Sequence, residues 1–178
     1  MPTELHSLMS HRESKSMLNQ RVHHQTATSF GGEVYVRFDN IEEYIVSCIR
    51  ESDQVVGCVA WLRSPAVIKA LSAKRCNIAV TNDCRLPSYS AMRPFLENYG
   101  SAVRKVGKAR GKYRDLMHNK FLVFLKNKKP EFVITGSFNL TAHSRNNLEN
   151  VVCIRNRECA DMYMKEAISI LNISRPIK

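Results

Sequence analysis

The chain concentrates its most reactive side chains in two short segments. The first is His118-Asn119-Lys120; sixteen residues after Lys120 comes the second, Gly136-Ser137-Phe138-Asn139. An imidazole serves as a nucleophile or as a proton carrier near neutral pH. An ammonium brings a fixed positive charge, a serine a hydroxyl and an asparagine an amide. Together these groups suit a pocket that holds a phosphate and attacks it. Side chains two apart on a strand share a face. The run Leu116–Leu125 around the first segment is apolar and β-prone, so it is expected to be a strand with His118 and Lys120 on one face. Phe132–Thr135 reads as a second strand, ending in a small-residue turn where Gly136 is expected to admit close approach of a ligand.

The remaining elements must frame those two strands. Val34–Phe38 alternates as a strand. Asp39 or Asn40 is placed to cap a helix running through Ile41, Tyr44, Ile45, Cys48 and Ile49. Gln54–Leu62 is a β run with Trp61 near its end, where core packing is the default reading. Pro65–Lys74 reads as a helix with proline at its favoured first position. Cys76–Thr81 follows as a strand, then a helix within Pro87–Gly100 and a basic connector, Val103–Asp115. Asn147–Ile154 reads as a last strand and Glu158–Leu171 as a closing helix. A further helix is expected to begin near Thr141, with His143 on its surface. Strand–helix–strand alternation predicts an α/β unit with at least some parallel pairing. Residues 1–31 stand apart: they are polar, rich in Ser, His, Gln and Thr, and only weakly amphipathic. They read as an N-terminal arm preceding a domain over 32–178, and His23-His24 as exposed polar residues, not a metal site.

Composition narrows the partners. The 178 residues carry 27 Lys or Arg against 16 Asp or Glu, a formal charge of +11. Between Arg104 and Lys129 there are ten basic residues and a single acid, Asp115. Such a block beside a phosphate-reactive motif points to a polyanionic partner. No apolar run is long enough for a membrane span, and the first residues lack the basic and apolar regions of a secretion signal. The six cysteines sit mostly in apolar runs without zinc-like spacing, so they read as reduced core residues of a cytoplasmic protein.

His118-x-Lys120 followed by Gly136-Ser137-x-Asn139 resembles the signature of the phospholipase D superfamily, the HKD phosphodiesterases. The resemblance extends to Asn147-Leu148-Glu149-Asn150-Val151-Val152, similar to a segment of the small bacterial nuclease branch that puts a glutamate near the catalytic histidine. It covers roughly residues 33 to 170. It implies an α/β fold with a mixed, largely parallel sheet flanked by helices. One position departs: the family's aspartate, five residues after the lysine, is here Leu125. There is one His-x-Lys motif in the chain, whereas the chemistry needs both a nucleophile and a separate acid. The resemblance therefore implies a two-fold homodimer that completes the site. His118 would form a phosphohistidine while its symmetry mate protonates the leaving oxygen. Lys120, Asn139 and Ser137 would bind the phosphate oxygens, and Glu149 would orient an imidazole. No metal or other cofactor is required. Lys112, Arg114 and Arg145 are candidates for contacts to the substrate.

Three functions compete. A nuclease acting on DNA or RNA is favoured by the charge. A phospholipid hydrolase is less favoured, because no amphipathic surface helix is evident. A nucleic-acid-binding dimer without turnover would account for Leu125, but retention of His118, Lys120, Asn139 and Glu149 together counts against it.

Overall fold

The computed structural model describes residues 24–29, 31–88, 92, 93, 97, 102–107 and 116–177. Within them runs a nine-stranded sheet in the order β1-β2-β8-β7-β6-β3-β4-β5-β9. The strands are β1 His24–Ser29, β2 Gly32–Arg37, β3 Gln54–Val59, β4 Arg75–Thr81, β5 Ala102–Val106, β6 Lys120–Lys126, β7 Lys129–Gly136, β8 Val151–Arg155 and β9 Arg175–Pro176. Among the described residues three α-helices flank the sheet: α1 Ile41–Glu51, α2 Pro65–Ser72 and α3 Arg157–Asn172.

The central strands β3, β4 and β6 are apolar at nearly every position because both faces are covered. On one face Val55, Ile78, Leu122 and Phe124 pack with Ile41, Ile45 and Ile49 of α1 and Val67 and Leu71 of α2. On the other, Val56, Ala79, Phe121 and Val123 pack with Ala160, Ala167 and Ile170 of α3. Capping follows local chemistry. Ser64 Oγ accepts from the Val67 N–H at 3.2 Å, just ahead of Pro65 at the first helical position. Asn156 Oδ1 accepts from the Cys159 N–H at 2.9 Å. Asn40 precedes α1 in a left-handed conformation and its side chain makes no cap, contrary to expectation; Glu42 and Glu43 in the first turn complement the helix dipole.

The sheet is mixed, as expected, but the expected predominance of parallel pairing is corrected. Only β3–β4 and β4–β5 pair in parallel, and the other six pairings are antiparallel. Connection length decides this. Parallel neighbours need a long crossover, and α2 supplies one between β3 and β4. β6 and β7 are joined by a two-residue turn, Asn127-Lys128, with both residues at positive φ (51° and 63°). That backbone matches the strand twist of a tight hairpin and permits only antiparallel pairing. Asp53 holds the turn, its Oδ2 accepting from the Asn127 N–H at 2.7 Å.

His24–Ser29 pairs with β2 across a hairpin in which Gly31 has φ +74°, so the polar segment expected as an arm over 1–31 ends in an edge strand. Edge pairing runs through backbone groups, which composition does not encode. Residues 1–23 lie outside the described residues, as does most of the helix expected within 87–100. The first part of the expected basic connector is β5, and residues 108–115 lie outside the described residues. The helix expected near Thr141 is a single 3₁₀ segment, Ala142–Asn146, started by Thr141 Oγ1 accepting from the Ser144 N–H.

All six cysteines are free thiols, five of them buried. Burial pushes the thiols of Cys58 and Cys76 up to about 12 and that of Cys48 to about 11, which leaves them protonated and inert near neutral pH. Among the described residues no helix is long and apolar enough to cross a membrane.

Candidate functional site

Register brings the two chemical segments together. Lys120 opens β6 opposite Val59, the last residue of β3. Thr135, near the end of β7, lies opposite Phe121. Gly136 lies opposite Val151, the first residue of β8, which also faces Arg37 at the end of β2. The loops at this one end of the sheet therefore carry Trp61, His118, Ser137, Asn139 and Glu149. It is also the carboxyl end of the parallel strands β3 and β4, where ligands of open α/β sheets bind.

His118 is exposed and precedes the strand; β6 begins only at Lys120. The expected alternation on a common strand is thus not what pairs the two. The backbone instead leaves the ladder at Asn119, whose carbonyl accepts from the Ala60 N–H at 2.9 Å. The Lys120 side chain folds back, so that Nζ donates to the His118 carbonyl at 3.0 Å and stands 3.2 Å from its Nδ1. An ammonium only donates, so this contact is a hydrogen bond when an unprotonated ring nitrogen faces it. Trp61 completes the cluster. Its indole meets the His118 ring edge to face at 5.1 Å between centroids, and Lys120 Nζ lies 5.8 Å from its centre. The default reading of Trp61 as core is half right: it packs partly against the α1–α2 core and partly against the imidazole.

On the facing loops, Ser137 Oγ donates to Glu149 Oε2 and accepts from the Asn150 N–H at 3.1 Å. Asn147 Nδ2 donates to Glu149 Oε1 at 3.3 Å. Glu149 also reaches Lys120 electrostatically. Burial lowers the affinity of the Lys120 amine for its proton, and the Glu149 carboxylate opposes that. Asn139 has its Oδ1 buried without a partner among the described residues. Gly136 serves the fold, not a ligand: a Cβ there would stand 2.2 Å from the Asn150 carbonyl oxygen, so it permits β7 and β8 to meet.

The other expected positions fare differently. Lys112 and Arg114 lie outside the described residues. Arg145 is half exposed, and its Nε stands 3.5 Å from Oε1 of the buried Glu42. Leu125 is 3% exposed and packs in the cluster under α3, with Phe121 and Val123. Lys120 points to the other face of β6, so the position of the family's aspartate takes no part in the cluster around His118. Among the described residues, no group of three or more His, Cys, Asp or Glu side chains is arranged to hold a metal. On sequence alone Trp61 has a core role, Asn147 only a place in the family-like segment and Glu42 none; proximity of Trp61 to His118 depends on the β3–β6 register, which leaves no sequence signal.

A family model described as cardiolipin synthase, PLD-like domain, matches residues 45–171. The chain belongs to the phospholipase D superfamily. Among solved structures of the superfamily's fold it is similar to the phospholipase D family member Nuc from Salmonella typhimurium, with a TM-score of 0.65 and 19% identity over 83% of this chain and 99% of that one. It is likewise similar to NucT from Helicobacter pylori, with a TM-score of 0.69 and 13% identity over 82% and 99%. A curated relative, an uncharacterised protein of Acanthamoeba polyphaga mimivirus, is 24% identical over 75% of this chain. The chain spans 63% of that relative's length. The phospholipase D superfamily is one of phosphodiesterases, and the likeness in fold to Nuc and NucT extends over almost the whole of each.

Proposed function

We propose that the chain is a metal-independent nuclease that works through a phosphohistidine at a site completed by a second copy. The observation that supports this most is the convergence of an exposed imidazole, the Lys120 ammonium and the Ser137–Glu149–Asn147 network on one end of the sheet. The +11 charge supports a nucleic acid as the phosphodiester. Similarity to Nuc and NucT over almost their whole length supports a chain that carries one half-site.

In the first step a ring nitrogen of His118 attacks phosphorus, the N–P bond forms and the P–O bond to the leaving group breaks. The partner subunit's His118 gives its proton to the departing oxygen. In the second step that same imidazole takes a proton from water, whose oxygen attacks phosphorus and breaks the N–P bond. Lys120 turns from His118 to the non-bridging oxygens and stabilises the charge that develops on them. Asn139 adds an amide contact. Glu149 holds Ser137 and offsets the positive charge gathered around the phosphate. Exposed Leu116 and Leu148 border this end of the sheet and suit burial against a second copy.

The test is cleavage of labelled single- and double-stranded DNA and RNA, with and without EDTA, alongside phospholipid vesicles. Wild type is expected to cut nucleic acid in EDTA, with a phosphorylated histidine trapped on acid quench. His118→Ala should lose about 10³-fold or more in kcat. Turnover of vesicles but not of nucleic acid would replace the nuclease reading with a lipid one. Binding of nucleic acid without any turnover would leave only a binding protein. Sedimentation velocity should give a dimer; a fully active monomer would remove the shared site.

A further inference from the structure

Beside the site lies a pocket of about 250 Å³ between the start of α1 and the 3₁₀ segment. It borders the candidate site directly. Phe138, between Ser137 and Asn139, lines it, as does Asn147, which holds Glu149. Its charge is opposite to that of the chain as a whole: Asp39, Glu42 and Glu43 line it against the single cation Arg145. A phosphate is therefore unwelcome in it. Glu42 is 2% exposed, and its Oε2 is buried with no hydrogen-bond partner among the described residues. A buried carboxylate oxygen left unpaired is costly, and a ligand that donates to it recovers that cost.

The Arg145 contact that Glu42 does make is one long approach, 3.5 Å from Nε to Oε1, by a side chain that is 47% exposed. The half-exposed guanidinium can swing out to solvent when a ligand donates to Glu42 in its place. Phe38, 46% exposed, presents an aromatic ring at the pocket. Drug-sized ligands occupy pockets from about 300 Å³ upwards, so this one suits a single flat ring system.

We propose that this pocket receives the nucleobase next to the scissile phosphate and selects guanine, an assignment that rests on the nuclease reading. The base stacks on Phe38, as unstacked bases do on exposed aromatic rings. Its Watson–Crick edge displaces Arg145 and donates N1–H and N2–H to the Glu42 carboxylate. A carboxylate only accepts. Guanine alone offers two adjacent donors on that edge; adenine and cytosine set an acceptor beside their donor, and uracil flanks its single donor with two acceptors.

Two measurements on the full chain test this. Cut sites in random-sequence single-stranded DNA and RNA should show guanine beside the scissile phosphate enriched about tenfold or more. His118→Ala protein should bind GMP about tenfold more tightly than AMP, CMP or UMP. Glu42→Gln should flatten both preferences, and Phe38→Ala should weaken GMP binding even if Glu42→Gln fails to fold. Arg145→Ala should retain the preference for guanine or sharpen it, because it removes the competing donor.

Equal binding of the four nucleotides overturns the proposal, as does a guanine preference that survives Glu42→Gln. A preference lost in Arg145→Ala as fully as in Glu42→Gln would also overturn it, by showing that the ion pair merely holds the 3₁₀ segment. Absence of any nucleic-acid cleavage would sink the nuclease reading by itself, and the GMP measurement would still decide the pocket.

Discussion

The indole of Trp61 meets the imidazole of His118 edge to face, with centroids 5.1 Å and planes 85° apart. Trp61 sits just beyond β3 and His118 just before β6, so the contact exists because Val59 lies opposite Lys120. The indole limits the orientations open to an otherwise exposed ring. Aromatic pairs of this geometry contribute about 0.5–1.5 kcal/mol beyond burial.

Trp61→Ala should therefore lower kcat about tenfold if that contact energy is lost from the productive orientation. Trp61→Phe, which keeps a ring in place, should recover most of the rate. Steady-state kinetics with thermal melts on both variants separates the effects. Equal kcat in wild type and Trp61→Ala, at full stability, would reduce Trp61 to packing.

Lys120 and Glu149 are electrostatically linked, which predicts a pH effect with a definite sign. In the proposed mechanism phosphate binding needs the charged ammonium, so activity should fall as pH rises through the Lys120 pKa. Burial lowers that pKa from the ordinary 10.5 and Glu149 raises it. The alkaline limb of kcat/KM should thus sit below that of an ordinary lysine. In Glu149→Gln the opposing charge is gone, so the limb should move further down. A pH–rate profile of both proteins checks this; an unmoved or raised limb in the variant would disconnect the two groups.

The central strands and the two segments of the candidate site are legible locally, because apolar runs and reactive side chains are local signals. Local pattern misjudges pairing direction because the turn at Asn127-Lys128 looks like any polar loop until its positive φ angles are known. It places His118 within a strand because Leu116 and Met117 continue the apolar pattern. There Leu116 pairs only in an isolated bridge with Gly107. The contacts of Trp61 with His118 and of Arg145 with Glu42 join residues distant in sequence, and neither leaves a periodic trace.

Gly136 tests the frame. A methyl group there would stand 2.2 Å from the Asn150 carbonyl oxygen and 2.8 Å from Val151 Cα, both backbone atoms that cannot step aside. Gly136→Ala should force β7 and β8 apart between Ser137 and Glu149, at a cost of about 1–3 kcal/mol or more. A melting temperature lowered by roughly 5 °C is expected for a chain of this size, together with reduced kcat. A variant with wild-type melting and activity would show that the two strands have slack.

Leu125 occupies the position where the family has its aspartate, and it is buried under α3 on the face of β6 opposite to Lys120. At this end of the strand a carboxylate is already present from another element. Asp53 binds the Asn127 N–H through Oδ2, and its own N–H donates to the Leu125 carbonyl at 3.0 Å. Restoring the family residue should therefore do harm. Leu125→Asp would bury a carboxylate among Phe121, Val123 and Ala160, with an expected cost on the order of 3 kcal/mol and no gain in rate. Leu125→Met, which conserves volume, should be nearly neutral. Denaturant melts and kcat of the two variants decide the matter: a Leu125→Asp protein that is faster and equally stable would mean that the aspartate belongs to the catalytic machinery and that this chain works without part of it.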